Sequence, residues 1–363
     1  MAGNIIGRML RLTSFGESHG KMIGGVLDGF PSGVSLDMVK INQVMQKRAP
    51  GAGDYSSPRK ETDNVEILSG VFENRTTGAP IAFFIANTSQ KPEDYNHLKD
   101  IYRPSHSSFS YEQKYGHYDY RGGGRSSARE TAVRVAAGAI CYQLLERYGI
   151  SIQGYVSQIG PVKLGKPYTQ LDLNRASLSS LRCPDEPTEK EMLTFLEEVK
   201  QQGDSAGGVV TCVIRGVPPG IGEPVYDRLQ AILAMYMLSI NAAKGFDYGE
   251  GFKSAEMKGS EHNDAFISGV DKIRPSSNNA GGILAGISTG EDIYFRVAFK
   301  PVSSIRKPID TIDKEGNPII LEIGGRHDVC IVPRAVAVVE AMASLAITDC
   351  MLMAGKIQGN FSN

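Results

Sequence analysis

Two long stretches, Ser127–Tyr148 and Pro333–Ala354, carry small apolar residues on every helical face rather than along one stripe. The first holds Ala128, Ala132, Ala136, Ala137, Gly138 and Ala139, the second Ala335, Ala337, Ala341, Ala343 and Ala346. A helix that is apolar all round has no side suited to water, and short side chains let neighbouring backbones come close. Both stretches are therefore predicted to be central helices with strands outside them. Glu340 and Asp349 interrupt the most apolar run, Ala335–Met353. A carboxylate is costly at a bilayer centre, so that run is expected to be a buried core helix rather than a membrane span.

The segments upstream of these helices repeat in the same order. An apolar strand from Gly24 ends in a turn at Pro31 and Gly33, then a helical pattern runs over Leu36–Lys47. A second strand from Gly207 ends at Pro218 and Gly220, then a helical pattern runs over Pro224–Leu238. Two copies of strand, turn, helix and long helix predict an α+β fold with a pseudo-twofold internal repeat. The halves are about 1–165 and 205–357, within one domain spanning 1–363. Between them the polar segment after Asp172 is expected to hold a surface helix, Thr188–Gln201, opened by a capping box at Thr188 and Glu191.

Composition excludes several classes of function. The 363 residues carry a net charge of −1, which gives no field to draw nucleic acid or an anionic membrane. The five cysteines form no CxxC, which predicts reduced, packed thiols and neither disulfides nor zinc. Met1–Arg11 has no long apolar core and no A-x-A site, so no secretory signal is expected and the cytoplasm is the expected location.

Chemistry concentrates in a few loops. Ser14-Phe15-Gly16-Glu17-Ser18-His19-Gly20 lies between the apolar runs Met9–Leu12 and Met22–Leu27. His19 there is a candidate general acid or base, since imidazole titrates near neutral pH. Arg121-Gly-Gly-Gly-Arg125-Ser126-Ser127 leads into a helix with Ser127 as N-cap and Glu130 at N3, a strong anion site of free N–H groups, hydroxyls and arginines. It has neither the P-loop nor the dinucleotide spacing. Arg103-Pro104-Ser105-His106 opens the region densest in His and Tyr. Lys300-Pro301-Val302-Ser303-Ser304 ends the strand Ile293–Phe299, and Gly324-Gly325-Arg326-His327-Asp328 precedes the last helix. No metal-ligand set and no nucleophile triad accompanies them.

These residues resemble the chorismate synthase family. Gly16-Glu17-Ser18-His19-Gly20 is similar to its first signature, Gly124–Thr131 to its second, and Arg326-His327-Asp328 with Pro333-Arg334-Ala335-Val336 to its third. The resemblance spans about Gly7 to Met353. It implies a β-α-β sandwich of central helices flanked by antiparallel sheets, usually a homotetramer. It also implies conversion of 5-enolpyruvylshikimate 3-phosphate to chorismate, with reduced FMN and NADPH as the indirect reductant. By resemblance His19 protonates the departing phosphate, His106 maintains the protonation state of reduced flavin, and Asp328 helps take the C6 proton. Arg48, Arg129 and Arg134 would hold substrate anions or NADP. The FMN contacts would be Arg125, Ser126, Ser127, Asn241, Ala242, Ala285, Lys300, Pro301, Val302, Ser303, Ser304 and Arg326.

Some positions depart from the family pattern. Ser105, Ser107 and Ser108 stand where Gly, Ala and Asp are usual around the histidine, Asp54 where an Arg often follows the first helix, Val329 for Pro and Ala285 for Gly. The rival readings are a flavin-dependent reductase and a non-catalytic anion- or RNA-binding protein. The chain has no large insertion, so reduced FMN is expected from an external flavin reductase. No RNP-like aromatic pattern supports RNA binding.

Overall fold

The structure is a computed structural model and describes residues 3–49, 63–88, 95, 98–268, 273–322 and 328–357. Its helices are α1 (Met38–Arg48), α2 (Ser108–Tyr115), α3 (Thr131–Arg147), α4 (Glu186–Gln201), α5 (Leu229–Leu238), the single turn α6 (Gly259–His262) and α7 (Val332–Met353). The class is α+β. A first five-stranded sheet runs in the order Ile5–Ile6, Arg11–Phe15, Met22–Asp28, Ile81–Ala86, Glu66–Ile67, and every pairing in it is antiparallel. A second runs Ala243–Tyr248, Ile293–Phe299, Gly208–Arg215, Ser151–Ile159, Val162–Lys163, again antiparallel throughout.

Helices α3 and α7 pack on each other, α3 also against the first sheet and α7 against the second. The small residues noted in the sequence permit this. A Cβ on Gly138 would lie 2.4 Å from the Ala341 Cβ and 2.5 Å from its Cα. Because α3 is apolar all round, nearly all of it is buried, from Thr131 through Leu145. Helix α7 has the length and apolarity of a membrane span, yet 83% of its most apolar window is buried inside the protein. The two acids that interrupt it are both used. Asp349 accepts the backbone N–H groups of Arg8, Met9 and Leu10, each at 2.9 Å, and the Tyr236 hydroxyl at 3.4 Å. Glu340 accepts the Gly154 N–H at 2.8 Å, tying α7 to the second sheet, and burial holds its carboxyl above the usual range.

Several expected boundaries shift, each for a local reason. The strand expected at Met9–Leu12 is Arg11–Phe15, because Leu12 and Ser14 alternate inward. Helix α1 starts at Met38, since the Asp37 carboxylate accepts the N–H groups of Val39 and Lys40. Helix α4 is capped by Asp185, which accepts the Thr188 N–H and hydroxyl, so Thr188 is capped rather than capping. Helix α5 begins at Leu229 instead of Pro224, after a turn in which the Glu223 N–H reaches the Asp227 carbonyl. Ser127 caps only a 3₁₀ turn, Ala128–Glu130, before α3. Glu130 does not close a capping box there; its carboxylate accepts from Ser14 and Arg134 instead. All five cysteines are free and buried.

Gly138→Ala should therefore be strongly destabilising despite the higher helix propensity of alanine. Both neighbours are backbone or Cβ atoms that cannot rotate away, and overpacking of this kind costs about 1–3 kcal/mol. A urea midpoint equal to the parent's would show that the helices separate without cost.

Candidate active site

The chain leaves strand Arg11–Phe15 at Gly16 with φ +88°, where a Cβ would stand 2.3 Å from the Met22 carbonyl oxygen. That turn carries Ser18 and His19 inward. His19 is 5% exposed, and its ring meets Tyr95 edge-on at 4.8 Å. The Ser18 hydroxyl donates to the Arg121 carbonyl at 3.3 Å and lies 3.0 Å from His19 Nδ1. Having given its one proton to Arg121, Oγ accepts from Nδ1–H, which assigns the lone pair of a neutral ring to Nε2.

The three glycines that follow Arg121 join this loop to the second histidine. Gly122, Gly123 and Gly124 have φ of 56°, 87° and 54°. A Cβ on Gly122 would sit 2.2 Å from His19 Cε1, and one on Gly123 would sit 3.2 Å from both His106 Nε2 and Ser126 Oγ. The turn thus forms a thin wall of backbone with one imidazole on each side. His106 accepts from Arg103 Nη2 at 2.7 Å. Ser108, standing where the family pattern has Asp, accepts the Arg103 N–H at 3.2 Å, so the arginine orients the ring. Burial first, then the charges of Arg103 and Lys300, push His106 down to about 3, so the ring is neutral at physiological pH.

The other candidates gather around the same turn. Arg125 donates to the Ser14 hydroxyl at 2.7 Å and to the Gly16 carbonyl at 3.2 Å. The Ser126 and Ser107 hydroxyls are 2.5 Å apart. Lys300 reaches back to the Ser105 carbonyl at 2.8 Å, and its N–H to the Ala242 carbonyl at 3.0 Å. The Val302 carbonyl accepts from Ser205 at 2.8 Å, which fixes the segment from Pro301 to Ser304. Asn241 donates to the Ser126 carbonyl at 2.8 Å, while its Oδ1 is buried with no partner among the described residues. A cavity of about 580 Å³ opens here, lined by Ser14, Tyr111, Arg125, Arg134 and Asn241 among others.

A second, smaller cavity of about 60 Å³ lies between Arg48, Thr131, Asn241, Asp328 and Arg334. Asn241 lines both. Asp328 accepts from Arg334 Nη1 at 2.8 Å, so the cation beside it is six residues on. The sequence suggests Arg326 and His327 for that role; both lie outside the described residues, as does Asp54. Arg48 and Arg129 converge on one buried carboxylate, Asp63, with Arg48 at 2.9 Å. Arg129 also donates to Asn87 at 2.9 Å and to the Ala86 carbonyl at 3.2 Å. Arg134 donates to Glu130 at 2.8 Å and to Ser239 at 2.7 Å. Asp63 and Asn87 are the residues sequence reasoning missed, each a lone polar residue with no motif around it; Arg103 stood in the segment Arg103-Pro104-Ser105-His106 but without a role of its own.

Ala285, with φ +52°, stands apart and lines a cavity of about 680 Å³ with Tyr248, Phe252 and His262. Another cavity of about 670 Å³ lies over the second sheet and holds none of the candidate residues. Size alone therefore does not locate the chemistry; the convergence of histidines, arginines and an unmet acceptor does.

Comparison with known proteins is decisive about kinship. The family model described as chorismate synthase matches residues 10–352. The chain belongs to the chorismate synthase family. Chorismate synthase of Parabacteroides distasonis is 51% identical over 358 residues, covering 99% of this chain and all of that one. That of Bacteroides thetaiotaomicron is 51% identical over 350 residues, covering 96% and 98%. A crystal structure of chorismate synthase superposes with a TM-score of 0.77 at 32% identity, covering 98% of this chain and 95% of the other. Chorismate synthases are lyases of aromatic amino acid biosynthesis. They eliminate phosphate from 5-enolpyruvylshikimate 3-phosphate to form chorismate, and the family uses reduced flavin.

The neutral His106 makes stability depend on acid. In the unfolded chain the ring takes a proton near pH 6.5, whereas the folded ring refuses it until about 3. Stability therefore falls as pH drops through that window. His106→Gln should lose less stability than the parent between pH 7 and pH 5, by up to ~2 kcal/mol, in urea titrations at the two pH values. Equal losses would mean that the ring protonates in place.

Proposed function

We propose that this chain carries out the chorismate synthase reaction at the cluster of His19, His106, the turn of Arg125, Ser126 and Ser127, and Asp328, with reduced FMN as its flavin. The observation that carries the reading is the glycine wall. Two histidines sit on opposite sides of a turn whose arginine, serines and N–H groups suit an anion.

The elimination breaks the C3–O bond, releases phosphate and removes a proton from C6. His19 acts as general acid on the leaving phosphate. The Ser18 contact fixes Nδ1, so the proton delivered is the one on Nε2 of the charged ring. Asp328 takes part in removing the C6 proton, and Arg334 Nη1 holds its carboxyl group in place at 2.8 Å. Arg48 and Arg134 hold the substrate's phosphate and carboxylates, for which forked guanidinium geometry is suited. Arg129 shares that role, braced like Arg48 by the Asp63 carboxylate.

The residues present fit a flavin. Asn241 Oδ1 is a buried acceptor awaiting a donor, which a flavin ring N–H provides, and the 580 Å³ cavity beside it is of small-molecule size. Arg125, Ser126, Ser127, Asn241, Ala242 and Lys300 to Ser304 would hold it, with Ala285 and Arg326 assigned by resemblance alone. When bound, reduced flavin supplies electron density that is returned in the same turnover, so the reaction has no net redox change. His106, held neutral, offers that site a hydrogen-bonding ring without adding charge.

The wider assembly follows the same reading. The fold is a β-α-β sandwich with a pseudo-twofold repeat. In support, α3 packs on the first sheet, α7 on the second and the two on each other. It is one domain of two similar halves, functioning as a cytoplasmic homotetramer. Reduced FMN is supplied by an external flavin reductase, with NADPH as the indirect source of electrons.

His19→Ala should bind FMN and substrate yet lose about 10²–10⁴-fold in turnover. The measurement is anaerobic single-turnover chorismate formation with pre-reduced FMN, and a parental rate would remove His19 from the mechanism. Asp328→Asn under the same conditions should slow turnover at least about tenfold, equivalent to ~1.4 kcal/mol in the barrier. If Asp328 only braces Arg334, the amide variant will lose some thermal stability and keep its rate.

A further inference from the structure

Asn87 follows the strand Ile81–Ala86 and touches the chemistry only through its neighbours. Its side-chain amide donates both protons to the loop that carries His19, to the Glu17 carbonyl at 3.1 Å and the Gly20 carbonyl at 2.9 Å. Its backbone N–H reaches the Lys21 carbonyl at 3.1 Å. The loop is thus held at both shoulders of His19 by one residue. Asn87 is itself held: its Oδ1 accepts Arg129 Nε at 2.9 Å. Arg129 is anchored to Asp63, and Asp63 takes Arg48 from the end of α1 at 2.9 Å. Side-chain exposure along that line is 8% for Arg129, 0% for Asp63 and 4% for Arg48.

We propose that Asn87 is a positioning residue for His19, the end of a buried relay through Arg129 and Asp63 that locks the His19 loop and the Arg48 cavity into one arrangement. The inference rests on His19 being the proton donor proposed above. The physical reason is the shape of the amide. Only asparagine of the right length presents two N–H groups to adjacent carbonyls while accepting a guanidinium N–H on its other side. Once those donors are removed, the Glu17 and Gly20 carbonyls lose their tie to the end of the strand, and the imidazole moves relative to the bound phosphate. Misplacement of a catalytic group by about 1 Å is enough to cost about a hundredfold.

The test is a double-mutant cycle in the full-length enzyme, reading single-turnover chorismate formation with pre-reduced FMN. The companion readout is substrate affinity, taken from 5-enolpyruvylshikimate 3-phosphate titrations. Asn87→Ala should slow the chemical step about ten- to a hundredfold while affinity changes less than about threefold. In a His19→Ala background the same substitution should slow the step no further, because the residue acts through the ring that is gone. Asn87→Asp keeps the volume and the Arg129 bond but turns an oxygen toward the two carbonyls. It should behave like the alanine variant, and serves in its place if that variant does not fold. A slow His19→Ala enzyme in which Asn87→Ala costs as much again would overturn the positioning role and leave the proton donor standing. A parental rate in Asn87→Ala, or the same loss in affinity as in rate, would overturn it too. A parental rate in His19→Ala would overturn the donor itself and the relay with it.

Discussion

The close approach of α3 and α7 at Gly138 and Ala341 is the contact on which the rest of the molecule depends. Gly138 lies about two turns beyond Thr131, and Ala341 about two turns beyond Arg334; Thr131 and Arg334 line the same small cavity. The helices therefore run side by side from a common end, and both N-termini open on the site. A helix N-terminus carries a partial positive charge, so two of them side by side favour anions. Wider spacing of the helices would part Asp328 and Arg334 from Arg48 and Asn241, and the cavity between them would lose its walls.

Around that end the electrostatics follow a division of labour. Guanidinium groups are buried against shared carboxylates, Arg48 and Arg129 on Asp63 and Arg134 on Glu130. A buried arginine that is already paired and braced is held in one orientation, and little entropy remains to be lost when an anion arrives. The histidines are treated differently. His106 is kept neutral by burial and by the cations near it, while His19 faces a hydroxyl and an aromatic edge. Separate environments for two like groups allow them separate tasks.

Much of this was legible in the sequence where the signal was a composition or a period. The strand Ile293–Phe299 shows strict alternation, and the structure reproduces it with buried and half-buried residues in turn. Helix α7 falls within one residue of its expected start and end because no other element accommodates so long an apolar run. The glycine turn at Gly122–Gly124 was visible because three adjacent glycines have few other uses. Helix starts were less legible, since they depend on which carboxylate happens to face the first N–H groups, as at Asp37 and Asp185. Long-range polar pairs were not legible at all. Asp63 meets Arg129 across 66 positions and Asn87 meets Gly20 across 67, and nothing local marks either residue. Arg334, in the first turn of α7, bonds Asp328 from six residues away, a pairing that the sequence alone does not mark.

The cradle around Asp349 reaches beyond the site. Its carboxylate is held by the N–H groups of Arg8, Met9 and Leu10, and the first of these contacts joins positions 341 residues apart. During synthesis the segment around Arg8 emerges long before α7 exists. Until α7 arrives, its N–H groups face solvent, and α3 exposes an apolar flank that only α7 covers. Closing so distant a contact is slow, and a chain waiting for it displays sticky surface. The turn between the first two strands is thus completed only by the last of the described helices.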